Sequence, residues 1–382
     1  MKEKISKDVD LKKEFPLREG LIYLNHAMAS PWPRRTAEAL KAFADENLRQ
    51  GATRFAEWGH TDGELRSRLR RLLNADAVED IALVKNTSEG LSAVALGIDW
   101  EPGRNVVLPM QEFPSNRYCW DRLSAQGVEI RKVDILAAEC PEQALIDACD
   151  DQTRLLTVSS VHFGTGLRMD LETLGRFCRD KGILFCVDAI QSLGALPVDV
   201  QAIQADFVVA GSQKWLLSPE GVAVFWSRAE ARAQLRPLIY GWRSAQEPFD
   251  YDTQDWRLET SGRGFEGGTL NTAGNHALNA SLSLFEEVGM RQVTDAVLER
   301  TDYLIERLSQ RNEVQWISNL DAERRSGITV FRLQGKDNDT LHKHLGNHGV
   351  FCAKRGGGIR FSPHFYTPME QLEEAVRWVL EY

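Results

Sequence analysis

An α/β fold, with a large domain on a mainly parallel seven-stranded sheet and a smaller C-terminal α/β domain, is what three features of the sequence predict. Short β-branched runs alternate with helical stretches from about residue 80, the mark of βαβ units whose sheet is covered on both faces. After about residue 275 the texture changes to long amphipathic helices. The 382 residues also exceed the length at which one hydrophobic core stops growing, so two packed units are expected. The division is drawn at residues 20–270 for the large domain, with 1–19 and 271–382 forming the small one.

Each element has its own warrant. The runs IALVKN (81–86), NVVLP (105–109), EIRKVDI (129–135), RLLTVSSV (154–161), GILFCVDA (182–189), ADFVVAG (205–211) and GVAVFW (221–226) are rich in β-branched and aromatic residues, and each is short enough for a strand. Between them DLETLGRFCRDKG opens on Asp170, a good N-cap, and closes on Gly182, a good C-cap. Residues 241–268 combine Gly, Arg and aromatics without periodicity and read as a long loop, a common seat of function in compact enzymes. Beyond it come two amphipathic helices (275–289 and 291–311), the strand GITVFRL, the helix LHKHLGNHG, a strand GVFCAKR and a last helix from Thr367. No internal repeat or low-complexity tract interrupts them.

Composition narrows the function. A net charge of −9 argues against a sequence-independent grip on nucleic acid, which needs a face rich in Lys and Arg. The N-terminus MKEKISKDVDLKKEF lacks the apolar core of a signal peptide, and no apolar run is long enough for a membrane span, so a cytoplasmic protein with no membrane partner is expected. The six cysteines have neither CxxC spacing nor nearby His pairs, which points to neither a metal site nor a disulfide framework.

One lysine stands out by its position. In a parallel α/β sheet, ligands bind beyond the carboxyl ends of the strands. Asp188 ends ILFCVD, and Lys214 lies 26 residues later, just past DFVVAG, so both belong to the same edge. An ion pair closing the sheet is one reading. The other is a pyridoxal 5'-phosphate site: the lysine amine forms a Schiff base with the cofactor aldehyde, and the aspartate keeps the pyridine nitrogen protonated. Such a lysine has to be desolvated or flanked by positive charge, since a free amine of pKa about 10.4 is a poor nucleophile at neutral pH. Trp215 and Leu216 would supply the burial.

VDAIQSLGALPVDV followed by ADFVVAGSQKWLLSPEGVAVFW resembles the class V aminotransferase family of fold-type I pyridoxal phosphate enzymes, which includes cysteine desulfurases, isopenicillin N epimerases and kynureninases. The resemblance runs from about Tyr23 to the C-terminus. It implies that Asp188 pairs with the pyridine nitrogen, that Gln191 contacts the ring hydroxyl, and that Lys214 is both the Schiff base and the proton carrier at Cα. In KNTSEGL, Thr87, Ser88 and Glu89 match the family's phosphate turn, where backbone N–H groups at a helix start and hydroxyls bind a dianion; plain helix capping uses the same residues. Ser212 and Gln213 are expected to add phosphate donors. Thr269 in GGTLN matches a threonine that reaches the neighbouring subunit's phosphate, which implies a homodimer with shared active sites. Phe113 in QEFPSNRY stands at the ring-stacking position, where desulfurases carry a histidine.

The substrate side of the site follows the same resemblance. Arg360 in RGGGIRFSPHFYTP is the expected clamp on an amino-acid carboxylate, a task suited to the guanidinium fork. Asn25 and His26 occupy the family's N-terminal active-site turn, and His162 follows a strand aimed at the same edge; a satisfied structural histidine is the other reading for His162. Cys352 falls in a strand and not in a mobile loop, so a persulfide-carrying role is not expected. The function implied is transamination of a small amino acid, with a C–S or β-eliminating lyase or an amino-acid epimerase as alternatives sharing the same carbanion. A non-catalytic pyridoxal-binding regulator fits poorly with an intact Lys214, Asp188 and Arg360 and no appended DNA-binding segment.

Overall fold

The computed structural model describes residues 9–382; the charged stretch 1–8, with the signal-peptide expectation that rests on it, lies outside the described residues. The strands are β1 (Ile22–Tyr23), β2 (Ile81–Val84), β3 (Asn105–Pro109), β4 (Glu129–Val133), β5 (Thr153–Ser159), β6 (Leu184–Asp188), β7 (Phe207–Gly211), β8 (Ala223–Ser227), β9 (Val314–Trp316), β10 (Thr329–Leu333), β11 (Val350–Phe351), β12 (Ala353–Arg355) and β13 (Gly358–Phe361). All seven runs expected for the large sheet are present.

That sheet has the order β2-β8-β7-β6-β5-β3-β4. It is parallel from β4 to β7, while β8 runs antiparallel to both β7 and β2. Its central strands read as unbroken apolar runs because both faces are covered. Val107, Leu156, Phe185, Val187, Val208 and Ala210 enter one core, and their neighbours Val106, Leu155, Leu184, Cys186, Phe207 and Val209 enter the other. Alternate side chains of one strand thus feed opposite layers.

A third core gathers Ile22 and Leu24 with residues from Leu304 to Val379 around the antiparallel sheet β12-β13-β10-β9. The single expected strand GVFCAKR is two strands here: β11 pairs parallel with β1, and β12 turns to pair with β13. The helix Leu171–Lys181 starts at Asp170, whose side chain accepts from Thr173 N, and stops at Gly182 in the left-handed region (φ 68°). The expected long loop holds only two short 3₁₀ turns, Trp242–Ser244 and Gly262–Phe265.

Candidate active site

The parallel strands β6 and β7 end on the same edge, with Asp188 the last residue of β6 and Lys214 three residues beyond β7. The chain around Lys214 is fixed on several sides. Ser212 Oγ donates to Pro219 O at 2.7 Å, Leu217 N donates to Lys214 O, Ser281 Oγ donates to Leu216 O, and Trp215 Nε1 donates to Gln191 Oε1 at 3.0 Å. Gly194 must be glycine: its φ is +99°, and a Cβ would sit 2.3 Å from Trp215 O. Trp215 and Leu216 are fully buried, so the amine stands on a rigid, dry base.

A cavity of about 280 Å³ opens at this edge. It is lined by Lys214, Asp188, Gln191 and Gln213, by Thr87 and Ser88, by Phe113, and by Arg360. Burial pushes Lys214 down to about 8, with the charge of Asp188 working the other way and that of Arg360 adding to the fall. At neutral pH this raises the free-amine fraction well above that of an ordinary lysine. Burial likewise pushes Asp188 up to about 6, partly offset by the Ile190 N–H on its Oδ1 and by Lys214. Lys214 Nζ lies 5.6 Å from the centroid of the Phe113 ring, which is packed edge-on against Phe163.

The start of the helix Thr87–Gly97 is the candidate anion cradle. Its cap, Asn86, accepts from Glu89 N through its side chain and from Gly90 N through its carbonyl. The N–H groups of Thr87 and Ser88 have no acceptor among the described residues, the arrangement that receives a phosphate. Thr87 Oγ1 accepts from Gly211 N at 3.0 Å, tying this helix start to the end of β7, and Ser88 Oγ lies 2.8 Å from Ser115 Oγ. On the far wall Arg360 is buried, donating to Phe163 O at 2.9 Å and to Asn25 Oδ1 at 3.2 Å, while its Nε has no partner. Burial first, then the nearby charge of Arg355, lowers it to about 10.

Several expected residues stand elsewhere. His26 is fully buried behind the cavity wall, with Nδ1 2.8 Å from Ser362 O and Nε2 2.7 Å from Tyr366 Oη, and burial pushes it down to about 3. Both ring nitrogens join the N-terminal turn to the C-terminal segment, and His26 does not line the cavity. His162 does not line the cavity either: its nitrogens face Thr165 Oγ1 and Gln111 O, bracing the loop that carries Phe113, the arrangement of the structural alternative. Ser212 is turned away, its hydroxyl spent on Pro219 O and its N–H on Val222 O. Asn25 does not line the cavity but orients Arg360. Glu89 accepts from Lys85 N, and with Thr269 it lines a neighbouring cavity instead. Gln191 lines the site with Oε1 occupied by Trp215 and Nε2 donating to Ala27 O, which leaves one amide N–H.

The sequence reading missed Asn86, Ser115 and Arg355, which also line the cavity, and Glu112, which does not line it but feels the charge of Asp188. Glu112 is buried, taking Ser159 N and Ser159 Oγ, both at 2.5 Å, on its two carboxylate oxygens. Burial pushes it up to about 7, the Ser159 hydrogen bonds pull it back, and Asp188 raises it further. Its raised pKa means that the stabilising neutral form is fully present below the ordinary carboxylate value and is lost as pH rises through about 7. Glu112→Gln, which can make both Ser159 contacts without charge, is therefore expected to be more stable than wild type by about 1–3 kcal/mol near pH 8. The gain should shrink toward acid pH; urea unfolding midpoints across that range check it.

A desolvated amine and a desolvated carboxylate at one sheet edge, with a helix start to receive a phosphate, define a pyridoxal phosphate enzyme of fold-type I. The chain belongs to the class V aminotransferase family: the family model "Aminotransferase class-V" matches residues 22–375. Its cofactor is pyridoxal 5'-phosphate. The chain is 29% identical to a "Probable cysteine desulfurase" of Methanothermobacter thermautotrophicus, over 95% of each protein. It is 27% identical to "Uncharacterized aminotransferase YcbU" of Bacillus subtilis, over 95% of this chain and 94% of that one. Among solved structures it superposes on a cystine C–S lyase, C-DES, in complex with its reaction product cysteine persulfide, with a TM-score of 0.90, 21% identity and coverage of 96% and 99%. The apo cysteine desulfurase of Thermococcus onnurineus gives 0.86, at 24% identity and coverage of 100% and 98%.

Proposed function

We propose that the protein is an aminotransferase that moves the α-amino group of a small amino acid. The observation that carries this reading is the poverty of the cavity in proton carriers and nucleophiles: Lys214 is its one amine, and among the described residues neither a cysteine nor a histidine lines it. When bound, pyridoxal phosphate supplies an electron-withdrawing ring that stabilises negative charge at the substrate Cα. Lys214 takes and returns the proton there, Asp188 holds a proton on the ring nitrogen, and Thr87, Ser88 and Gln213 receive the phosphate. Arg360 clamps the substrate carboxylate with Asn25 behind it. Phe113 lines the cavity where it would cover a face of the bound ring, and it can move no proton, which disfavours an epimerase that needs a second base.

A protein persulfide needs a thiolate in the site. Cys352 is buried, and burial pushes its thiol up to about 12. The second reading is a lyase that needs no protein cysteine; the names of the relatives favour it. Assaying L- and D-amino acids with and without a keto-acid acceptor separates the two. Turnover that depends on the acceptor is expected, and sulfide or ammonia released without one would overturn the aminotransferase.

A homodimer belongs to the same proposal. Thr269, in a cavity of its own, is free to serve a partner's site, and the nearby segment exposes Ile239, Tyr240, Phe249, Tyr251 and Trp256. Light scattering reads the mass directly, and a monomer at working concentration would exclude shared sites. Two units, 20–270 and 1–19 with 271–382, and a cytoplasmic location complete the proposal. Among the described residues no helix is long and apolar enough to cross a membrane.

A further inference from the structure

The hairpin of β12 and β13 brings a second guanidinium to the cavity, for Arg355 lines it beside Arg360. Ala353 pairs with Arg360 and Arg355 pairs with Gly358, so the two arginines are diagonal neighbours on one face of the hairpin, a spacing of about 7–8 Å. Lys354, on the opposite face, is ion-paired with Asp339. Arg355 has no carboxylate at ion-pair distance among the described residues, only a 3.3 Å hydrogen bond to Lys354 O. Its position is set by the turn: Gly356 has φ +60°, and a Cβ there would meet Gly164 O at 2.1 Å. The hairpin tip is thus seated on the loop that follows Phe163.

Two arginines held side by side repel each other, and an anion between them relieves the repulsion. Three cations, Lys214, Arg355 and Arg360, line the cavity against the single carboxylate of Asp188. The anionic groups the site already has to receive are assigned: the cofactor phosphate to the helix start at Thr87 and Ser88, the substrate α-carboxylate to Arg360. Arg355 remains.

We propose that Arg355 recognises an acidic group at the end of the substrate side chain, so that the enzyme takes amino acids of the aspartate and glutamate type and the matching 2-oxo acids. This rests on the amino-acid reading of the site. The test titrates holoenzyme with aspartate, glutamate, alanine and cysteine, following the cofactor's visible spectrum and the keto acid formed. A charge-assisted hydrogen bond predicts at least about a tenfold preference for an acidic side chain over alanine. Arg355→Gln should erase that preference and Arg355→Lys should keep part of it.

Equal response to alanine and aspartate in the wild type, or an Arg355→Gln variant that weakens both alike, overturns the proposal. Loss of cofactor retention in Arg355→Gln would assign the arginine to the phosphate and overturn it too. A wild-type spectrum indifferent to every amino acid would sink the amino-acid reading itself, and this proposal with it.

Discussion

Lys214→Ala is expected to lower turnover by at least about 10³-fold, because the variant loses both the covalent anchor and the acid–base group. Nothing else in the cavity can take over the proton. Asp188 is a carboxylate that on the proposed reading would pair with the ring nitrogen, and the His26 and His162 nitrogens are bonded elsewhere. The fold should survive, since Trp215 and Leu216 hold the turn without the amine. Folded protein that keeps its secondary structure but shows no keto-acid formation is the expected outcome. Substantial residual turnover would mean that the proton is moved by a group outside this cavity.

Asp188→Asn is expected to cost roughly 10² or more in turnover, the scale of removing one preorganised charge from a dry site. An amide cannot keep the ring nitrogen protonated, so the electron sink weakens while the phosphate cradle and Lys214 stay intact. The apoprotein should change in the opposite direction. Asp188 sits at about 6 because burial disfavours its charge; the stability linked to its neutral form is lost as pH rises through that value, so at pH 8 the wild type carries a buried charge that Lys214 only partly offsets. The Asn variant should therefore unfold about 1–3 kcal/mol later near pH 8, with little difference at pH 4. A variant both less active and less stable at pH 8 would show that the carboxylate is a structural ion pair.

The scaffold was legible because burial on both faces writes each central strand as an apolar run, and caps such as Asp170 and Gly182 bound the helices. Asp188 and Lys214 were legible for a related reason, since strand ends in a parallel sheet share an edge; Thr87, Ser88, Gln213 and Phe113, which line the same cavity, came from the family resemblance. What a residue does beyond that edge depends on partners far along the chain. His26 meets Tyr366 and Ser362, some 340 positions away, and its chemistry gives no hint that both nitrogens are taken. Ser212 and Lys214 are two residues apart, yet one turns to Pro219 and the other into the cavity. Arg355 was missed because GVFCAKR reads as one strand; only the switch of pairing partner at Cys352 and the register of β12 with β13 put it next to Arg360. Glu112, beside Phe113, carries no local signal of burial, because its partner Ser159 lies 47 positions along the chain.

Borohydride reduction of the purified holoprotein, followed by peptide mass mapping, tests the pairing of amine and coenzyme most directly. The pyridoxyl mass should appear on the peptide containing Lys214 and on no other, and it should vanish in Lys214→Ala. A label on a different lysine, or none on protein that visibly carries the cofactor, would contradict it.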